Sequence, residues 1–156
     1  MLAVGERIPE ARVWTTPHEN ATLQEIVAEG PILLLFYLFD WSATCTNELE
    51  LLRDKSKEFR AAGVQPYAVS RDSPWTHVAW TQVLDLDFPL LSDWNCEATH
   101  GFGVAHEYRG LRDVSRRSAF LIDGEGVVRG AWVYESNAFP DFDELLAAAR
   151  AEQPSG

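Results

Sequence analysis

The chain predicts an α/β fold, three layers deep (α/β/α) around a mixed central sheet. Three observations carry that prediction. An unbroken apolar run opens at Gly30-Pro31 and ends at Asp40, and its branched and aromatic residues read as a strand buried on both faces, as in parallel sheets covered by helices. Strand-like and amphipathic helical stretches then alternate, which implies parallel strands joined by right-handed crossovers. Finally, Ser118 to Ile122 and Val127 to Tyr134 flank the turn Asp123-Gly124-Glu125-Gly126, a hairpin that adds antiparallel strands.

Taken in order, Met1 to Pro9 is an irregular amino-terminal extension. Ala11 to Thr15 alternates like an edge strand, Pro17-His18-Glu19-Asn20 is a turn, and Thr22 caps a short helix through Ala28. After the apolar run, Asp40, Ser42 and Thr44 are helix-start residues, with Leu49, Leu52, Phe59 and Ala62 following at helical spacing until Gly63. Val64 to Ser70 is the next strand. Asp72 or Ser73 caps a helix with Pro74 in its first turn, and Trp75, Val78, Ala79, Val83 and Leu84 form its apolar face. Phe88 to Ser92 is a short strand and Asp93 to Gly103 a short helix. Ala105 to Ser115 is polar and reads as a loop. Asp141 to Ala151 closes the chain as a helix, with a frayed tail from Glu152.

The length of 156 residues suits one domain spanning 1–156 with one substantial core. With 46% hydrophobic residues, six Trp, eight Phe and four Tyr, the composition is globular. A net charge of −11 disfavours nucleic acid and anionic membranes as partners. No apolar run reaches the roughly 20 residues of a membrane span, and no leader pattern opens the chain, so a cytoplasmic location is expected. Two cysteines fit neither a disulfide scaffold nor a zinc site, and none of His18, His77, His100 or His106 stands at metal-ligand spacing.

Cys45 stands where a buried strand feeds a helix amino terminus, the place where α/β proteins put ligands and where a thiol ionises most readily. An ordinary thiol has a pKa near 8.5, and lowering it by two units takes about 2.7 kcal/mol of preference for the anion. A helix terminus supplies about 0.3–1 kcal/mol and at best about 2. A hydroxyl and a cation would close the gap. Ser42 and Thr44 offer hydroxyls within one turn, and Arg117, just before the strand Ser118 to Ile122, is the best-placed cation if that strand neighbours the central one. The competing reading is a small buried hydrophobe.

The sequence resembles the peroxiredoxins. Their phrase F-Y-P-x-D-x-S/T-x-x-C-x-x-E is matched in register by Phe36, Tyr37, Asp40, Ser42, Cys45 and Glu48. Arg117-Ser118-Ala119-Phe120-Leu121-Ile122-Asp123, with Gly126 and Val127, is similar to R-x-x-F-x-I-D-x-x-G-x-V. His77 and Trp80 fall on the family's H-x-x-W, Phe88 to Asp93 on F-P-L-L-S-D, and Val4 to Pro9 on its amino-terminal V-G-x-x-I-P. The likeness runs from about residue 4 to 150 and is nearest the short alkyl hydroperoxide reductase E type. It implies a thioredoxin-like fold and a thiol peroxidase. Cys45 would attack the O–O bond of hydrogen peroxide or an organic hydroperoxide and become a sulfenic acid, with Ser42 and Arg117 stabilising charge and Glu48 orienting Arg117. Leu38, Tyr37 and Trp80 would shape the pocket. No cofactor or metal is implied, and the expected partners are a peroxide, an external thiol or redoxin reductant, and a second copy of the chain.

Two departures qualify the match. The motif proline is Leu38, which keeps apolar cover but restores an N–H and frees φ, and C-P-T-E becomes Cys45-Thr46-Asn47-Glu48. Leu38 therefore keeps open a redox sensor or binding module with little turnover. A thiol–disulfide oxidoreductase is disfavoured because Glu48 stands where a C-x-x-C partner would be. Cys96 is a candidate resolving thiol. In the sheet order that the resemblance implies, its strand lies two spacings from that of Cys45, about 10 Å, beyond the reach of a disulfide without unwinding, so a one-cysteine cycle is preferred. The remaining Trp residues read as core or dimer-interface aromatics, and Arg109, Arg112 and Arg116 as solvated loop charges.

Overall fold

The computed structural model describes residues 1–152; the tail expected beyond Glu152 lies outside the described residues. Nine strands and five helices follow in the order β1 (Arg12–Thr16), β2 (Glu19–Thr22), α1 (Leu23–Val27), β3 (Ile32–Phe36), α2 (Ala43–Ala61), β4 (Gln65–Ser70), α3 (Pro74–Leu84), β5 (Leu90–Ser92), α4 (Glu97–Gly101), β6 (Ala105–Tyr108), β7 (Leu111–Ser115), β8 (Ser118–Ile122), β9 (Val128–Val133) and α5 (Phe142–Ala151).

Seven strands form one sheet in the order β2-β1-β5-β4-β3-β8-β9. The β3–β4 and β4–β5 pairs are parallel, as their helical crossovers require, and β3–β8 and β8–β9 are antiparallel. Every residue of β3 is buried, so the strand divides the core in two. Leu33 and Leu35 face Leu49, Leu52 and Phe59 of α2, Trp80 of α3 and Leu145 of α5. Ile32, Leu34 and Phe36 face Leu23 and Ile26 of α1 and Phe102 beyond α4. The period-2 alternation of a strand thus serves two helical layers.

Local chemistry fixes the helix boundaries. Ser42, Ser73 and Asp141 cap α2, α3 and α5 by accepting from backbone N–H groups, and Thr22 caps α1. Gly63, at φ +81°, stops α2: Val64 N–H donates to the Phe59 carbonyl and Gly63 N–H to that of Arg60. The amino-terminal extension lies along β9, where Gly5 N–H donates to the Val128 carbonyl and Val128 N–H to the Glu6 carbonyl.

Three expectations need correction. The strand after Ala11 is not at the edge, because Glu19–Thr22 forms β2 outside it and Pro17-His18 alone is the turn. The polar stretch Ala105 to Ser115 is a two-stranded ribbon, β6–β7, turning at Arg109-Gly110, both at positive φ. The buried face of α3 is His77, Trp80 and Leu84, whereas Trp75, Val78, Ala79 and Val83 face outward. His77 can be buried because both its ring nitrogens find partners, as described next.

Candidate active site

The register of β3 with β8 decides the site. Phe36 pairs with Ser118, so Arg117 lies level with Tyr37, at the carboxyl end of β3 where the chain turns into α2. That turn contains Trp41 at φ +74°, an unusual conformation for an aromatic residue, held by packing of its ring on Trp80 at 4.4 Å between centroids. Ser42 follows as N-cap, and its hydroxyl accepts from the Cys45 amide at 3.2 Å. Cys45 is thus in the first turn of α2, with its side chain fully buried.

Arg117 reaches the sulfur. Its Nη2 donates to Cys45 Sγ at 3.4 Å, its Nη1 to Glu48 Oε1, and its Nε and Nη2 to the Ser136 carbonyl at 3.2 and 2.8 Å. Glu48, one turn after Cys45, is also fully buried, and its Oε2 has no partner among the described residues. Sequence-selected Cys45, Ser42, Glu48 and Arg117 therefore meet in one cluster. Ser42 enters it as the helix cap; no bond from its hydroxyl, or from Thr44, to the sulfur is found among the described residues. Thr46, at the position of a family proline, uses its amide and hydroxyl on the Ser42 carbonyl, 2.8 and 2.7 Å away.

Electrostatically, one cation serves two acids. Burial pushes the Glu48 carboxyl up to about 8, against the opposing pull of Arg117. Burial also works against the guanidinium charge, yet Glu48 and Cys45 beside it hold the Arg117 pKa above its ordinary value. A Glu48 that keeps its proton leaves the Arg117 charge to whatever anion forms at sulfur. The helix terminus contributes up to about 2 kcal/mol to such an anion, and a charge-assisted hydrogen bond about 1.5–3 kcal/mol.

Leu38, Tyr37 and Trp80 pack in the same core cluster as Cys45. The Tyr37 hydroxyl donates to Asp40 Oδ1 at 2.5 Å, and His77 Nδ1 lies 2.7 Å from Asp40 Oδ2. His77 Nε2 is 3.1 Å from the Leu91 carbonyl, which can only accept, so that nitrogen carries a proton. Asp72 Oδ2 accepts from the Asp40 amide at 2.9 Å and from Ser70 Oγ at 2.5 Å. This network ties the Cys45 turn to α3, β4 and β5. Tyr37 and Asp40 carried the motif match, but their joining to His77 is visible only in the fold. The Ser136 contact had no signal at all, since a carbonyl belongs to every residue type.

Cys96 lies across β4 from this cluster, because β5 and β3 flank β4. It sits at φ +62° before α4, its thiol donating weakly to the Trp94 and Asp113 carbonyls at 4.0 and 3.9 Å. Burial pushes its pKa up, with Arg71 opposing. The described residues contain no group of His, Cys, Asp or Glu that could hold a metal ion, and no helix long and apolar enough to cross a membrane.

A match to the AhpC/TSA family covers residues 4–131. A peroxiredoxin of Pyrococcus horikoshii is 27% identical over 97% of this chain and 72% of its own length. A chloroplastic 2-cysteine peroxiredoxin of Chattonella marina var. antiqua is 28% identical, covering 99% and 82%. Among solved structures, peroxidoxin BcpB from Mycobacterium tuberculosis superposes with a TM-score of 0.86 at 25% identity, over 99% of this chain and all of that one.

Proposed function

The chain belongs to the AhpC/TSA family and is a thiol-dependent peroxidase of the peroxiredoxin kind on a thioredoxin-like fold, and from that premise we propose that Cys45 is its peroxide-reducing sulfur. The observation that carries the assignment is the fully buried guanidinium of Arg117 donating to Cys45 Sγ at 3.4 Å in the first turn of α2. The Cys45 thiolate attacks one peroxide oxygen along the O–O axis. An S–O bond forms, the O–O bond breaks, sulfur is oxidised by two electrons, and the other oxygen leaves as hydroxide or alkoxide and takes a proton. Arg117 stabilises charge first on sulfur and then on the departing oxygen, and Glu48 and Ser136 hold Arg117 in place. Ser42 fixes the turn that carries the sulfur. Leu38, Tyr37 and Trp80 form the apolar wall of the pocket. An external thiol then displaces water from the sulfenic acid, and a second thiol releases Cys45 and a disulfide.

Cys96 is left outside this cycle. It would have to cross the width of β4, and its burial-raised pKa makes it a poor attacking thiol at neutral pH. One equivalent of hydrogen peroxide mixed with reduced protein should therefore quench tryptophan fluorescence rapidly, because Trp41 in the Cys45 turn packs on Trp80, which shares the Cys45 core cluster. Mass spectrometry of the product should show one added oxygen on the Cys45 peptide. Oxidation at the rate of an ordinary thiol would remove the assignment, and a quantitative Cys45–Cys96 crosslink would remove the one-cysteine cycle.

The chain works as a homodimer in the cytoplasm in this reading. Trp75, Val78 and Val83 of α3 and nearby Trp94 are each 45% or more exposed, and Trp14, Pro17, Trp75 and Trp94 line one apolar groove. Sedimentation equilibrium should give twice the mass of the 17.5 kDa chain, and Trp75→Asp should halve it. A wild-type monomer at the highest concentration reached would discard this part.

A further inference from the structure

Arg117 has a second neighbourhood. It forms part of the wall of a cavity of about 500 Å³, bounded also by His106 of β6, by Arg116, and by Tyr134, Glu135 and Ser136 after β9. At about 30 Å³ per water, hydrogen peroxide needs only a small fraction of that space. The wall is unusually basic for a chain of net charge −11. The exposed Arg116 guanidinium has no acceptor among the described residues, and its neighbour Arg117 is the guanidinium bonded to Cys45 Sγ. His106 Nδ1 is 2.7 Å from the Val114 carbonyl and so carries a proton. Glu135 is the one acidic side chain on the wall, and it makes no ion pair with either arginine among the described residues.

We propose that this cavity binds the carboxylate-bearing part of an organic molecule that reacts at Cys45, with Arg116 holding the acid group. The inference rests on Cys45 being the reacting sulfur. A guanidinium fork suits a carboxylate, and Arg117, shared between cavity and sulfur, brings the far end of the same molecule to the reaction. Two molecules carry this chemistry. An acidic hydroperoxide would use the cavity in the oxidation step: Cys45 thiolate and ROOH give the sulfenic acid and RO⁻, which is protonated. An acidic thiol would use it in reduction: Cys45–SOH and RSH give Cys45–S–S–R and water, and a second RSH gives the free Cys45 thiol and RSSR.

The test runs both steps with matched pairs of probes. Oxidation is followed by tryptophan fluorescence with cumene hydroperoxide and its 4-carboxy analogue, and reduction of the sulfenic acid with 2-mercaptoethanol and 3-mercaptopropionate, compared per thiolate. Hydrogen peroxide run in parallel tests Cys45 itself, so failure of the peroxidase reading shows separately. The wild type should prefer the anionic probe by about fivefold or more in one of the steps, and the step identifies which molecule the cavity serves. Raising the salt concentration should erode the preference. In Arg116→Ala, and in Arg116→Gln to guard against a folding defect, the anionic-to-neutral ratio should fall to about one. Equal rates for both pairs in the wild type, or a preference that survives both Arg116 variants, would overturn the proposal.

Discussion

Cys45→Ser should lose all peroxide reduction while keeping its fold. The hydroxyl of serine is a far weaker nucleophile than a thiolate, and oxygen cannot take up the peroxide oxygen as sulfur does. The fold should tolerate the change because the buried position already has a donor: Arg117 Nη2, 3.4 Å from the sulfur, can donate to the new hydroxyl instead. Burying the hydroxyl costs about 1 kcal/mol, equivalent to a melting temperature lower by about 2–4 °C at this chain length. Stopped-flow fluorescence should show no fast quench at any peroxide concentration, and steady-state peroxide consumption should match buffer. Cys96→Ser, by contrast, should retain the oxidation step. Peroxidase activity surviving in Cys45→Ser would dismantle the whole assignment.

That contrast rests on positions whose roles differ in how far they could be read from sequence. The β3–α2 junction was legible because two physical signals change within a few residues: a continuous apolar run stops at Asp40, and a cap residue, Ser42, precedes helical periodicity. Arg117 was legible once β8 was placed beside β3, since strand register carries it to the level of Tyr37. The edge elements were not. In β2, Glu19 and Asn20 are exposed and the four residues carry no apolar alternation, so pairing with β1 alone defines them. In β6–β7 the signal was a turn with both central residues at positive φ, but Arg109 stands where asparagine or aspartate would have announced it.

The face of α3 was misread for a different reason. Trp75, Val78 and Val83 look like a core stripe, yet the helix buries His77 with Trp80 and Leu84 instead. A polar residue wins a core position when its bonds are complete, as Asp40 and Leu91 make them here. The apolar side left outside is the surface proposed above for a second copy. Neither partner of His77 is near it in sequence, so no local pattern could have revealed the exchange.

The second large effect concerns Arg117 and is expected to act on rate and stability by separate routes. Arg117→Ala removes the donor to sulfur and to the developing charge on oxygen, a loss of about 10²–10³-fold in the oxidation rate. Alkylation of Cys45 by iodoacetamide at neutral pH should slow in parallel, because the guanidinium that donates to the sulfur is gone. Arg112→Ala is the control: that residue is exposed on β7, and its side chain makes no hydrogen bond or ion pair among the described residues, the Arg71 contact being to its carbonyl. Stability suffers through Glu48, whose hydrogen-bond partner among the described residues is Arg117 and whose pKa burial already raises to about 8. Without the cation, its pKa must rise further. A carboxyl whose folded pKa lies above its unfolded value binds more protons folded than unfolded, so stability falls as pH rises from about 4.5 to the folded pKa, which is about 8 in the wild type and higher without the cation. The part of the Arg117→Ala melting deficit that comes from Glu48 should accordingly stay flat from pH 5 to about 7 and grow as the pH passes about 8, where the wild-type carboxyl ionises against Arg117 and the variant's does not. Adding Glu48→Gln, which mimics the protonated acid, should restore much of the pH 8 stability without restoring the rate. If the double variant instead recovers activity, or if Arg112→Ala is as slow as Arg117→Ala, the cation at the sulfur has been misassigned.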